Sequence, residues 1–394
     1  MKFKSTIDTL NELLNRVIPI VPQRSTILVL QYLHVTLQGN ELKVMVTNEE
    51  LSLLTTIEVE GIEDGSVLFP AKKFNEIVKL LSKGSEVTIS VDSDNYEVTL
   101  NYNKGKFKFK GIEPDEFVDI SDLFKDQMPM IEELSSKIEQ GENVALFRKG
   151  VLQKISDRLL FAVSTEEYKP AMTGILFQFR EKQLITAATD GYRLNRYIIN
   201  DEETIFSKLF DVIVPAHSLE FLKKIDSEII MNVIYENEAP KFLRFDYDDT
   251  VFVTRIISEK YPPYETIIPE EFEFTAFVPL NELINTIKRV SLSSNTVSKL
   301  VILKFENNQL NANTQNEETG ELAEETLPCE MNFSSFEIGV KYDYFLQSLQ
   351  HLYYEGNSED IAEIRFNDPV KAFIICPKDQ YETLIMLNMP VRYK

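Results

Sequence analysis

Phe69-Pro70-Ala71-Lys72-Lys73-Phe74, Val214-Pro215-Ala216 and Val340-Lys341-Tyr342 each close a β-type run and open an apolar helix. Helical spacing follows all three: Phe74, Ile77, Val78 and Leu81 after the first, Leu219, Leu222 and Ile225 after the second, Phe345, Leu346, Leu349 and Leu352 after the third. Upstream of each stands a helix of a second kind, carrying Leu10, Leu13, Leu14 and Val17, then Val151, Ile155 and Leu159, then Leu280, Leu283, Ile284 and Ile287. The chain therefore holds six copies of one strand-and-helix unit. A unit this small cannot bury its apolar face alone, so its neighbours complete the core.

The spacing of the echoes gives the domains. The first gap is longer than the second, and the surplus falls where periodicity lapses, from Asp126-Gln127-Met128-Pro129 to Gln140-Gly141-Glu142. The reading is an α+β chain of three similar domains, residues 1–126, 143–270 and 271–394, with a linker at 127–142. Each has the size of a domain that buries its own core. A second lapse, 306–326, is rich in Asn, Gln, Glu and Thr and reads as a long acidic hairpin loop interrupting the third copy.

Composition excludes several classes of function. The chain is 43% hydrophobic and 26% charged, as a globular protein is, and offers no run of apolar residues long enough to span a membrane. Its start, Met1-Lys2-Phe3-Lys4-Ser5-Thr6, lacks the apolar core of a secretion signal, so a cytoplasmic location is expected. Cys329 and Cys376 stand singly in strand-like runs without metal-ligand spacing and read as buried thiols. His34, His217 and His351 are far apart, none beside a nucleophile pattern, and there is no glycine-rich phosphate loop. A non-catalytic protein without cofactor or metal is expected.

A formal charge of −22 argues against nucleic acid, yet the six helical windows together carry a small positive charge. Lys72, Lys73, Lys79, Lys83, Lys149, Lys154, Arg158, Lys223, Lys224, Lys288 and Arg289 all fall there. Lysine is a good helix former, so composition alone accounts for part of this segregation. The remainder points to helices that face a polyanion.

The ends of the chain are unlike. Lys104-Gly105-Lys106-Phe107-Lys108-Phe109-Lys110 alternates strictly, placing lysines on one strand face and Phe107 and Phe109 on the other. Lysine on an edge strand also blocks stray pairing. The third domain supplies an acidic counterpart in Glu317, Glu318, Glu321, Glu324 and Glu325. Such ends can meet head to tail, and a closing rotation makes a ring. Lys104, Lys106, Phe107, Lys108 and Phe109 would meet Leu292, Glu318 and Glu321. Each buried Phe would contribute about 1.5–3 kcal/mol, and a rim ion pair about 0–1.

Ala188-Thr189-Asp190-Gly191-Tyr192-Arg193-Leu194 resembles the A-T-D-G-[HY]-R-L signature of the bacterial DNA polymerase III beta subunit family, the sliding clamps. Phe69–Phe74, Val214-Pro215-Ala216, Tyr261-Pro262-Pro263-Tyr264 and Met389-Pro390-Val391-Arg392 support it, and the resemblance covers the whole chain. It implies three clamp domains, each with two helices on an inner face and antiparallel sheets outside, closed as a head-to-tail homodimer around duplex DNA. It also implies a tether that breaks no bond. The DNA polymerase III catalytic subunit, the clamp loader and other proteins with a clamp-binding motif would be its partners.

By the same resemblance, sequence-independent contacts to DNA fall to Arg24, Lys72, Lys73, Lys79, Lys149, Lys154, Arg158, Lys223, Lys224, Lys288 and Arg289. A pocket for partner peptides falls to Met172, Thr189, Gly191, Tyr192, Arg193, Leu194, Pro262, Ile267, Leu387, Asn388, Met389, Pro390, Val391 and Arg392. Met, Leu, Val and Pro around small polar groups suit an adaptable apolar pocket. The chain departs from the family pattern at Thr266, where a basic residue is common, at Asn388, and at Tyr393 with Lys394 after it. A diverged paralogue that binds peptides without encircling DNA is the alternative reading.

Overall fold

The computed structural model describes the chain except residues 104, 125–142, 201, 207, 353–359 and 394. Lys104, Lys394 and the linker read at 127–142 therefore lie outside the described residues. Among the described residues each third of the chain contributes two α-helices, paired as α1 (Ile7–Val17) with α2 (Ala71–Leu80), α3 (Val151–Leu159) with α4 (Ala216–Leu222), and α5 (Leu280–Val290) with α6 (Tyr342–Gln350). Their starts follow from the local chemistry. Thr6 caps α1 by accepting a hydrogen bond from the Thr9 amide at 3.1 Å. Pro70, Pro215 and Pro279, with φ near −60°, end a strand and pre-set the turn into α2, α4 and α5. The apolar stripes point inward as their spacing dictates, Ile7, Leu10, Leu13, Leu14 and Val17 all being buried in α1. Leu81 caps α2 rather than extending it, and Leu80 is left 87% exposed.

The residues fold as two compact units, Met1–Lys149 with 206–208 and Asp226–Ile256, and Gly150–Ile205 with 209–225 and Ile257–Lys394. In the first unit, a nine-stranded antiparallel sheet begins with a short strand ending at Phe206. It continues through Val144–Phe147, Ile229–Glu236, Ala239–Tyr247, Thr250–Arg255, Leu51–Glu58, Glu41–Thr47 and Tyr32–Gln38 to Gly65–Pro70. The second unit has its own nine-stranded sheet, through Asp211–Pro215, Gly174–Arg180, Gln183–Thr189, Arg193–Asn200, Leu384–Asn388, Phe373–Pro377, Ile361–Phe366, Phe274–Pro279 and Glu330–Met331.

Both sheets are built alike. Four strands of one third end on an eight-residue strand, Leu51–Glu58 or Arg193–Asn200. That strand pairs with the first of five strands from the next third, Thr250–Arg255 or Leu384–Asn388. One set of each kind remains. The first third leaves five strands, ordered Glu60–Glu63, Lys2–Thr6, Glu86–Val91, Glu97–Tyr102 and Gly105–Lys110. The last third leaves four, ordered Glu321–Pro328, Gln309–Asn316, Leu300–Glu306 and Ser335–Lys341. Among the described residues, Gly105–Lys110 and Glu321–Pro328 are bare edges. They are called the head edge and the tail edge below.

The reading of 306–326 as a loop is corrected. It forms the strand Gln309–Asn316 and most of the tail edge, joined by a turn at residues 317–320. Leu310, Ala312, Thr314 and Asn316 alternate inward. Thr314 Oγ1 donates to the Leu300 carbonyl at 2.6 Å, which satisfies its hydroxyl in the core.

Candidate partner-binding site

The Thr189–Leu194 segment is a turn held by its own side chains. Asp190 Oδ1 accepts the Tyr192 and Arg193 amides at 2.9 and 3.0 Å, an Asx turn. Thr189 Oγ1 accepts the Gly191 amide at 3.1 Å and donates to the Arg193 carbonyl at 2.7 Å. Gly191 has φ +92°, a conformation that disfavours other residues. The turn throws Tyr192 outward, 59% exposed, and Arg193 inward, 8% exposed.

Arg193 ties this turn to α6. Its Nε donates to Asp190 Oδ2 at 3.0 Å and its Nη1 to Gln347 Oε1. The guanidinium lies between the rings of Phe161 and Tyr344, at 5.2 and 4.4 Å. Tyr344 also stands 6.4 Å from the Tyr192 ring and carries Lys341 Nζ over its face at 3.9 Å. Sequence reasoning missed Tyr344 and Lys341. The signal was present, since both lie in the third echo or within two residues of it.

The C-terminal strand completes the surface. Arg193 and Leu194 oppose Asn388 and Leu387, and the Met389 amide donates to the Tyr192 carbonyl at 3.0 Å. Met389 is thereby set beside Tyr192 and is 45% exposed. Met172, half-buried, has its methyl 3.6 Å from where a side chain on Gly191 would begin. Pro262 and Ile267 belong to a segment pinned by the buried Tyr261 and Tyr264, the latter donating to Gln178 Oε1 at 2.7 Å. Ile267 itself is 51% exposed. Burial pushes the hydroxyls of both tyrosines above their usual range, so they remain proton donors.

The sequence-named pocket therefore separates into a surface and its support. Gly191, Tyr192, Ile267 and Met389 are exposed, and Met172, Pro262 and Pro390 are half-buried. Thr189, Arg193, Leu194, Leu387 and Asn388 are buried beneath, Leu194 and Leu387 in one apolar cluster with Leu176, Tyr261 and Tyr264. Val391 and Arg392 line another cleft, with Phe274, Phe336 and Val370. The departures have local reasons. Asn388 Nδ2 donates to Ser348 Oγ of α6 at 3.0 Å, and Thr266 Oγ1 donates to the Pro263 carbonyl at 2.8 Å. Tyr393 bonds Glu337 through its hydroxyl at 2.5 Å and lies over Gly339, where any side chain would meet its ring.

The basic residues also separate. Lys72, Lys73 and Lys79 on α2, Lys224 after α4, Lys288 on α5 and Arg24 in the loop after α1 are exposed. Lys149 pairs with Asp226 at 2.9 Å, Lys154 with Glu203 at 2.6 Å and Lys223 with Glu220 at 2.6 Å, which reduces their pull on an anion. Arg289 is held by Glu325, Nε to Oε2 at 3.0 Å. Arg158 is a correction. It is only 8% exposed, lies 4.5 Å over the Tyr197 ring and donates to the Lys154 carbonyl, so it is no surface cation. It follows Ile155 by three residues, which turns it to the buried side of α3.

At the head edge Phe107 is 38% exposed, while Phe109 is half-buried against Phe69 and Phe74, with ring centroids at 5.8 and 6.2 Å. Lys106 is exposed and Lys108 pairs with Glu97. At the other end Glu318 and Glu321 are exposed, Leu292 is 83% exposed in the turn after α5, and Leu322 on the tail edge is 65% exposed. Among the described residues no cluster of His, Cys, Asp or Glu could hold a metal, and no helix is long and apolar enough to cross a membrane.

Comparison with known proteins agrees with this arrangement. Residues 1–121 match the family model of the DNA polymerase III beta subunit N-terminal domain, 147–263 that of its central domain and 265–392 that of its C-terminal domain. The beta sliding clamps of Staphylococcus epidermidis and Staphylococcus aureus are 26% and 25% identical over 403 aligned residues, covering all of this chain and 99% of theirs. Among solved structures, the beta subunits of Pseudomonas aeruginosa and Streptococcus pyogenes, at 21% and 22% identity, each superpose with TM-score 0.86 over the full length of both chains. With a domain model matched in every third, on a chain whose described residues supply a helix pair, four strands and five strands in each third, this protein belongs to the DNA polymerase III beta subunit family.

Proposed function

We propose that this chain is a sliding clamp, which closes head to tail with a second copy around duplex DNA and tethers a replicative polymerase for processive synthesis. The observation that carries the reading is the pair of bare edges. Wherever four strands of one third end within the chain, five strands of the next third continue them; five at the head and four at the tail remain to be joined. A second copy supplies both missing halves, giving a closed set of six domains, each with its described helix pair. The exposed lysines on α2 and α5 and Lys224 just after α4 then make weak, sequence-independent phosphate contacts that permit sliding. Topology replaces tight affinity.

The Tyr192–Met389 surface is the docking site for clamp-binding-motif peptides of the polymerase catalytic subunit, the clamp loader and other partners. It offers exposed Tyr, Met and Ile over a buried base, and aromatic residues and Met are enriched at interfaces. A relative of this fold from Pseudomonas aeruginosa has been solved bound to griselimycin. Tethering raises the effective concentration of a bound polymerase at the primer end to about millimolar. The clamp itself breaks no bond, and it works in the cytoplasm.

Retention on DNA tests this directly. Protein loaded onto a nicked circle by a clamp loader is expected to survive gel filtration with the DNA and to run off once the circle is linearised. Phe107→Asp, which puts a charge on the head edge, is expected to abolish retention on the circle as well. Equal retention on circle and linear DNA would overturn the encircling reading in favour of a peptide-binding paralogue.

A further inference from the structure

The two junctions within the chain fix how the third is made. In every third, the first helix ends in an arginine followed by an aliphatic residue: Arg16-Val17, Arg158-Leu159 and Arg289-Val290. Each arginine reaches the fifth residue of an eight-residue strand. Arg16 Nη1 donates to Thr55 Oγ1 at 3.3 Å, Arg158 lies over Tyr197, and Arg289 pairs with Glu325. Those strands are Leu51–Glu58, Arg193–Asn200 and the tail edge, Glu321–Pro328. Where the partner strand is present, its first residue lies opposite that fifth position. Thr250 opposes Thr55, and Leu384 opposes Tyr197.

Resting on the reading of the protein as a head-to-tail dimer, we infer that the third junction has this same register, and that Arg289 with Glu325 is its built-in key. Gly105, first residue of the head edge, then lies opposite Glu325 of the second copy. Lys106 opposes Glu324, Phe107 opposes Ala323, Lys108 opposes Leu322 and Phe109 opposes Glu321. The faces agree independently. Phe109 packs on Phe74 of α2, and Glu325 pairs with Arg289 of α5, so odd-numbered residues face the helices on both edges. A slip of one residue would turn Phe107 and Phe109 to the wrong side.

The register also accounts for a glycine that the chain's own fold does not require. Gly105 has no left-handed φ, and a side chain there would meet only ordinary contacts, at 3.6 and 3.9 Å. Glycine weakens a strand and marks the close approach of another group. Opposite Gly105 the Arg289–Glu325 pair of the second copy occupies the space a side chain would take. Arg289 thus belongs to the subunit junction rather than to the DNA-contacting set. Lys106 and Glu324 add a cross-strand ion pair on the outer face.

Cysteine cross-linking reads the register. Directly opposed Cα atoms lie about 4.5–5.5 Å apart, within disulfide reach, whereas diagonal pairs at about 7–8 Å are not. Chains carrying Phe107→Cys with Ala323→Cys are expected to oxidise to covalent dimers roughly tenfold faster than those carrying Phe107→Cys with Glu321→Cys or Glu325→Cys. The unaltered chain, whose Cys329 and Cys376 are buried, is the control. A charge exchange checks it without cysteine. Lys106→Glu and Glu324→Lys singly are expected to speed subunit exchange roughly threefold or more, and together to restore it. Faster cross-linking of a diagonal pair, or no restoration, in a protein that light scattering shows to be dimeric would overturn the register alone. A monomeric unaltered chain would overturn the dimer itself.

Discussion

At the residue scale, the candidate partner site shows why chemistry read from sequence is incomplete without burial. Met389 and Leu194 are both apolar and both named by the family motif, yet one is 45% exposed and the other fully buried. Met389→Ala is expected to weaken a labelled clamp-binding peptide about tenfold or more in a fluorescence polarisation titration while leaving the melting temperature nearly unchanged. Leu194→Ala leaves a cavity among Leu176, Tyr261 and Leu387 and is expected to cost about 2–5 kcal/mol of stability in denaturant titration. Any loss of peptide binding by that variant would follow from loosened support. Arg158 is a similar case, because a cation in an amphipathic helix reads as exposed unless its step from Ile155 is followed onto the buried face.

A histidine supplies the pH dependence at this scale. His351 stacks on Phe161, with ring centroids 4.4 Å apart. Burial holds its imidazole below the ordinary 6.5, Arg193 and Lys223 adding to the shift and Asp157 opposing it. Between the lowered folded value and 6.5 the unfolded chain therefore binds a proton that the folded chain does not. The stability this residue contributes is full above pH 6.5 and is lost as pH falls through the folded value. His351→Gln is expected to flatten the acid limb of a melting-temperature profile below pH 6.5. It will not abolish that limb, because burial lowers His34 in the same direction. An unchanged limb would remove His351 from the account.

At the scale of elements, helices were the most legible part. Their apolar spacing, the prolines before α2, α4 and α5 and the Thr6 cap are local signals that tertiary structure had no reason to override. The polar run from Glu306 to Thr326 was not legible as strands, because its inward positions include Thr314 and Asn316, which qualify for burial only through hydrogen bonds, Thr314 to the Leu300 carbonyl and Asn316 from the Glu318 amide in the adjoining turn. Strand pairing across thirds was likewise invisible, since Leu51–Glu58 meets Thr250–Arg255 from nearly 200 residues away. The head edge carries its own test. Gly105→Val should favour strand structure within a single chain, yet clash with the Arg289–Glu325 pair of a second copy. The expected result is an unchanged or slightly raised monomer stability and at least tenfold weaker dimerisation by sedimentation. A tight Gly105→Val dimer would show that the glycine leaves room for nothing.

At the scale of the whole molecule, the repeat visible in the three strand-to-helix echoes is the same regularity that the sheets express as four strands followed by five. The motif-bearing segments announced the family; they did not announce that Arg16, Arg158 and Arg289 stand at equivalent posts. Because a four-stranded set always meets a five-stranded one, the chain runs with one sense, like an arrow. Two arrows placed nose to tail circulate in a single direction, and a rotation about the central axis exchanges them without turning either over. The two openings of such a hoop are therefore different. In the proposed dimer that rotation carries one Tyr192–Met389 surface onto the other at the same height along the axis, so a hoop threaded on a duplex would present both candidate docking surfaces in the same sense along the DNA.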